Sequence, residues 1–167
     1  MQAQMAAKSY RVRIDSIYGI EKRSRLVEFV SPDRFRIVTD QDEMIIIGQS
    51  TFRRKKGEVW QRFPFDVGSM IARFRDPKLI EDMGKRATVI FLGQESLEGQ
   101  PMWVFEYGQI NVLGTNLTTR SKVWVSVKDG LPRRMEVDGE ISGTRTKDIN
   151  TNYDYGAEIR IEPPMFL

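Results

Sequence analysis

The sequence has no cysteine and no histidine among its 167 residues. Disulfides, thiol nucleophiles, haem ligation through His or Cys and the usual zinc sites are therefore excluded. Histidine is also the commonest general base near neutral pH, so catalysis would depend on carboxylates, Lys, Tyr or Ser alone. No glycine-rich phosphate loop or nucleophile elbow is present either. We predict that the protein is not an enzyme and uses no metal and no cofactor.

Long apolar runs are missing as well. No segment approaches the ~18 apolar residues of a transmembrane helix. The first residues, Met1–Ala7, lack the charged and apolar parts of a secretion signal, so we expect any signal to have been removed already. The net charge of +3 combines 26 basic with 23 acidic residues, and this mixed balance demands no nucleic-acid partner. The length predicts a single domain spanning residues 1–167.

Strict alternation of apolar and polar residues is the dominant pattern of the chain. It occurs at Tyr10–Asp15, Lys122–Val127, Arg134–Asp138 and Glu158–Glu162. A period of two is that of a β-strand with one apolar and one polar face, so we predict strands along most of the chain, the last at Ala157–Glu162. Met44–Ile47 is continuously apolar, which predicts a strand covered on both sides.

A helical period appears only near the middle of the chain. Asp66 is a predicted N-cap, Asp76-Pro77 predicts the start of a second short helix, and Gly84 its stop. The apolar stripe fits either an ordinary core or a lid over an apolar cavity, and periodicity leaves both open. So many strands with so little helix predict a mainly β (α+β) fold, a curved sheet over an apolar hollow.

Three groups of residues have both a functional and a structural interpretation. We interpret Arg53–Lys56 as a solvated hairpin tip rather than a phosphate or anionic-lipid contact. The acidic residues Asp40, Asp42 and Glu43 lack glycosidase or calcium-loop spacing, so we interpret them as an Asp-rich turn. The three tryptophans are interpreted as core or cavity lining rather than platforms for sugars or bases.

The order of four short motifs resembles a known family. Phe29–Arg36 is similar to the Pro-x-x-Phe strand entry of the periplasmic LolA/LolB-like lipoprotein carriers and receptors, whose fold mycobacterial lipid-binding lipoproteins share. The Gly turn in Ile46–Ser50, the strand entry Gly130–Arg134 and the closing segment Tyr153–Pro164 follow in the family's order. The resemblance extends from about Tyr10 to Pro164.

This resemblance implies an unclosed antiparallel β-barrel with a short helical lid and an apolar cavity that holds acyl chains. Two departures are visible. Ser31 stands where the carriers have an arginine that helps latch the lid, so that latch is not expected here. Only Met1–Lys8 precede the first predicted strand, where the family has a longer helix, which indicates either trimming or a smaller lid.

The leading hypothesis is a bacterial carrier or sensor, periplasmic or otherwise extracytoplasmic, that binds lipids or lipoprotein acyl chains. Its partners would be a lipid or an acylated lipoprotein, and an envelope protein and peripheral membrane contact are also considered. The predicted cavity residues are Val27, Phe29, Phe35, Ile37, Trp103, Phe105, Val123, Val125 and Met135 on the sheet, with Met70, Ile71, Phe74, Ile80 and Met83 on the lid.

Two alternatives remain. One is a non-enzymatic protein-interaction module of the cell envelope that has the same sheet without a ligand cavity, with a strand edge at Arg145–Tyr155 as its docking site. The other is an enzyme acting through carboxylates. It is disfavoured because no convergent pair of acids can be identified from the spacing.

Overall fold

The computed structural model of the protein describes residues 2–107, 119–141 and 143–166, without the side chains of Gln2, Phe74, Ile80, Met83, Arg86 and Ile141. The sequence also predicts a polar, glycine-containing loop at Ile110–Thr115, and this segment lies outside the described residues. The helices are α1 (Gln2–Met5), α2 (Val67–Phe74) and α3 (Pro77–Arg86). The strands are β1 (Ser9–Tyr18), β2 (Glu21–Val30), β3 (Arg34–Val38), β4 (Asp42–Ile47), β5 (Ser50–Lys55), β6 (Gln61–Phe63), β7 (Val89–Leu97), β8 (Gln100–Tyr107), β9 (Thr119–Ser126), β10 (Pro132–Ile141) and β11 (Thr144–Tyr153).

All eleven strands form one antiparallel sheet, in the order β6-β5-β4-β3-β2-β1-β11-β10-β9-β8-β7. The first and last strands in the sequence, β1 and β11, pair along their length at the centre of the sheet. They join the half of the sheet formed by β1–β6 to the half formed by β7–β11. The edges of the sheet, β6 and β7, do not pair with each other, which confirms the predicted unclosed sheet. The docking edge predicted at Arg145–Tyr155 was wrong, because β11 is bonded on both sides, to β1 and β10.

Helix α2 packs on one face of the sheet, called here the helix face. Val67 and Ile71 of α2 cover a core of Tyr10, Val12, Phe29, Phe35 and Ile46. Ile46 belongs to this core while its neighbour Ile45 is buried on the opposite, outer face. The continuous apolar run of β4 is therefore covered on both sides, as predicted.

The outer face is covered in part by the chain after β11. Ile159 and Ile161 pack on Ile45 and Phe52. The strand predicted at Ala157–Glu162 was wrong, because this extended segment lies across the sheet and joins no strand. Side chains bind its carbonyl groups instead: Ser9 Oγ donates to Ala157 O at 2.6 Å, and Arg34 Nη1 donates to Ile161 O at 2.6 Å.

The short helices follow their capping residues. Asp66 accepts a hydrogen bond from the Ser69 backbone N–H at 2.8 Å and caps α2, and Asp76 accepts one from the Lys78 N–H at 2.8 Å at the start of α3. The stop predicted at Gly84 was wrong, since α3 continues to Arg86. In addition, α1 was not predicted. None of the helices in the described part is long and apolar enough to span a membrane.

Candidate functional site

The predicted strand residues of the cavity all lie on the helix face. Register aligns Val27 with Val12 and Phe29 with Tyr10, and pairs these β2 residues with Ile37 and Phe35 of β3. In the other half of the sheet, Trp103 of β8 pairs with Val125 of β9, and Phe105 pairs with Val123. Val123 in turn pairs with Met135 of β10. Directly paired residues of antiparallel strands point to the same face. These nine side chains therefore share one surface of the sheet.

This common surface has two separate parts. Phe29 and Phe35 are buried in the core beneath α2, and their rings pack at a tilt of 41° with centroids 5.0 Å apart. Helix α2 lies against β4 and β5, so the residues of β8, β9 and β10 lie on the other half of the sheet. There Trp103 is 36% exposed, and Phe105 packs against Phe91 with ring centroids 5.3 Å apart.

The predicted lid residues are placed less completely. Ile71 packs on the core of the helix face, whereas Met70 is 56% exposed. The side chains of Phe74, Ile80 and Met83 lie outside the described residues. The choice between a core stripe and a lid is therefore answered only for Ile71, which packs as core.

Arg75 contacts the core of the helix face, and the sequence did not indicate this contact. It follows α2 and places its guanidinium over the Phe29 ring, with Cζ 4.0 Å from the ring centroid. Its Nη1 donates to the Tyr10 hydroxyl at 3.1 Å. A cation over an aromatic face is attracted by the ring quadrupole, most strongly when little water surrounds it. Arg75 therefore ties the end of α2 to the sheet, although a single arginine after a helix is indistinguishable in sequence from a solvated charge.

A polar stripe crosses the centre of the helix face along β11. It consists of Thr146, Asp148, Asn150 and Asn152. Asn150 lies between Ile14 of β1 and Met135 of β10, and its Oδ1 is buried with no hydrogen-bond partner. Strand β11 has polar side chains on both of its faces. Its sequence therefore contains no apolar pattern that predicts which side chains lie on the helix face.

Two clefts open among the described residues, and neither is lined by any predicted cavity residue. One, of about 480 Å³, lies beside the turns at Glu98 and Asp129 and includes Arg133 and Tyr155. Burial raises the pKa of the Tyr155 phenol well above its usual range, and Arg133 Cζ lies 4.9 Å from its ring centroid. The other, of about 550 Å³, lies between Gln49 and Asp66.

The charged clusters noted in the sequence neutralise each other across adjacent strands. Arg53 donates to Asp42 at 2.9 Å and Arg54 to Glu43 at 2.6 Å. Desolvation opposes ionisation of Glu43, but hydrogen bonds from Arg36 and Arg54 outweigh it and hold its pKa below the usual range. Because these four residues form ion pairs within the sheet, neither a phosphate site nor an acidic catalytic pair is needed to explain them.

Comparison with known proteins identifies the fold. No protein-family model and no curated protein sequence matches the chain. The structure is similar to the lipoprotein LppX from Mycobacterium tuberculosis, with a TM-score of 0.72 and 12% identity over 96% of this chain and 93% of that one. It is also similar to LprF from Mycobacterium bovis, with a TM-score of 0.65 and 12% identity over 98% and 92% of the two chains.

A LolA superfamily protein from Nitrosomonas europaea also matches, with a TM-score of 0.39 and 10% identity over 95% of this chain and 89% of that one. LppX is a mycobacterial lipoprotein, the class that the resemblance in sequence had included. The predicted unclosed antiparallel β half-barrel is confirmed, and LppX and LprF share this fold. At such low identity the likeness extends to the fold alone.

Proposed function

We propose that the protein is an extracytoplasmic, non-enzymatic carrier or sensor that binds lipids or acyl chains on the helix face. The proposal depends on the apolar surface that the partly exposed Trp103, Phe105, Val125 and Met135 form around the buried Val123, on the half of the sheet away from α2. The fold shared with the mycobacterial lipoprotein LppX supports the same function. Binding would come from burial of chain methylenes, each contributing ~0.8 kcal/mol, so selectivity for chain length should be loose.

The test is uptake of a fluorescent fatty acid, together with native mass spectrometry of the purified protein. We expect saturable uptake by the wild type, and roughly tenfold weaker uptake by Phe105→Glu, because a carboxylate among chain methylenes must be desolvated. Gln100→Glu is the matched control, since it introduces the same carboxylate at an exposed position on the outer face of the same strand, β8. Circular dichroism verifies that both variants fold.

Absence of both an adduct and uptake would count against the carrier. So would equal uptake by the wild type and Phe105→Glu, because the ligand would then bind elsewhere.

A second candidate function is docking of a partner protein at the sheet edge β7, and one observation favours it. Val89, Ile90, Phe91 and Leu92 are consecutive, apolar and each 48–58% exposed. The opposite edge, β6, has only three residues, one of them Arg62, and is followed by Pro64. Short, charged or proline-flanked edges resist pairing, whereas a long apolar edge accepts an added strand.

A photo-activated cross-linking residue at position 91 tests this docking in cells, with the same residue at position 62 of β6 as the control. We expect a discrete protein adduct at position 91 only, because an added strand would cover β7. Adducts to lipid alone, or equal protein adducts at both positions, would contradict docking at β7.

A further inference from the structure

Asn150 is the second of six residues in a mainly apolar row on the helix face. The members of this row are directly paired residues of neighbouring strands, from β1 through β11, β10, β9 and β8 to β7. The row therefore follows from the strand register and does not depend on side-chain conformation. Asn150 is the polar member between Ile14 and the rest of the row. On its other side the row consists of Met135, Val123, Phe105 and Phe91.

The amide oxygen at this position has no donor. Asn150 Oδ1 is buried and accepts no hydrogen bond from the described residues. A buried acceptor without a partner costs about the desolvation energy of that group, roughly 1–3 kcal/mol, so a leucine of similar volume would suit an apolar row better.

We infer that the ligand is a lipid whose acyl portion has its own hydrogen-bond donor, a hydroxyl or an amide N–H, and that this donor binds Asn150. The inference rests on the proposed lipid-binding function and specifies its ligand class. An anionic group is disfavoured at this point, because Asp148 already supplies a negative charge two residues away. A neutral donor satisfies the amide oxygen while the rest of the chain contacts Met135, Val123 and Phe105.

The experiment compares pairs of fatty acids that differ by one hydroxyl group, as competitors of a fluorescent fatty acid. The pairs are ricinoleic against oleic acid and β-hydroxymyristic against myristic acid, which place the hydroxyl at different depths. We expect the wild type to prefer at least one hydroxy acid by roughly three- to tenfold, the effect of one net hydrogen bond.

Asn150→Leu should lose this preference and retain or improve its affinity for the plain acids. Thr151→Val is the matched control, because it removes a polar group from the adjacent residue, which points to the outer face. Asn150→Leu should fold with an equal or higher melting temperature, since it removes an unpaired buried acceptor.

The outcomes separate the two proposals. If plain acids bind but the wild type shows no hydroxyl preference, or if the preference survives in Asn150→Leu, the inference about Asn150 is overturned and the carrier function stands. If no fatty acid of either kind binds, the carrier function itself fails and the inference fails with it.

Discussion

Replacing Gly68 by alanine should lower the free energy of unfolding by about 3 kcal/mol, because α2 lies directly on the turn between β4 and β5. A Cβ at Gly68 would overlap the carbonyl oxygen of Gly48 and lie 2.9 Å from its carbonyl carbon. Both obstructing atoms are backbone, so no side chain can rotate away to make room. The helix must move outward, and Val67 and Ile71 then lose contact with the core of the helix face.

Gly84→Ala is the matched control for this prediction. Gly84 lies inside α3, and a Cβ there meets nothing within 4 Å. Alanine favours helix over glycine by roughly 0.5–1 kcal/mol, so this variant should be slightly more stable than the wild type. Thermal and urea unfolding measure both variants, and we expect Gly68→Ala to melt ~10 °C lower. A Gly68→Ala protein as stable as the wild type would show that the close approach of α2 does not limit its packing.

Much of the fold could be predicted because alternation reports burial directly. The residues chosen for the cavity share one face, since strand periodicity assigns every second side chain to the same side. The same property explains the failure at Ala157–Glu162. Ile159 and Ile161 alternate and are buried, but a segment that packs across a sheet has the same pattern as a strand within it.

Strand order and cross-strand neighbours could not be predicted, because pairing of β1 with β11 joins residues 128 to 142 positions apart. Asn150 became informative only once register placed it between Ile14 and Met135. Arg75 likewise gained a role only from its position over Phe29. Local pattern identifies which face a side chain occupies, whereas the chemistry of the site depends on which distant residue lies beside it.

The outer face provides the second large prediction, which concerns Glu28. Its side chain is only 8% exposed, and it accepts hydrogen bonds from Arg11 Nε at 2.8 Å and Arg36 Nη1 at 3.0 Å. Burial alone would raise the pKa of Glu28, but the two guanidinium groups outweigh it and hold that pKa below its ordinary value of 4.5. The folded state favours the ionised form, so Glu28 stabilises the fold at pH values above its ordinary pKa of 4.5. This stabilisation is lost as the pH falls through the lowered pKa of the folded state.

Glu28→Gln should therefore lower the free energy of unfolding by about 2 kcal/mol at neutral pH, because two charged hydrogen bonds are weakened around a buried group. The loss stays moderate because Arg11 keeps Asp154 and Arg36 keeps Glu43 as partners. The deficit should shrink as the pH falls below 4.5, where the wild type loses the same stabilisation. Urea unfolding measured from pH 7 to pH 3 follows both effects, with exposed Glu158→Gln as a control expected within ~0.5 kcal/mol of the wild type. A deficit independent of pH would mean that Glu28 contributes through packing and shape rather than through its charge.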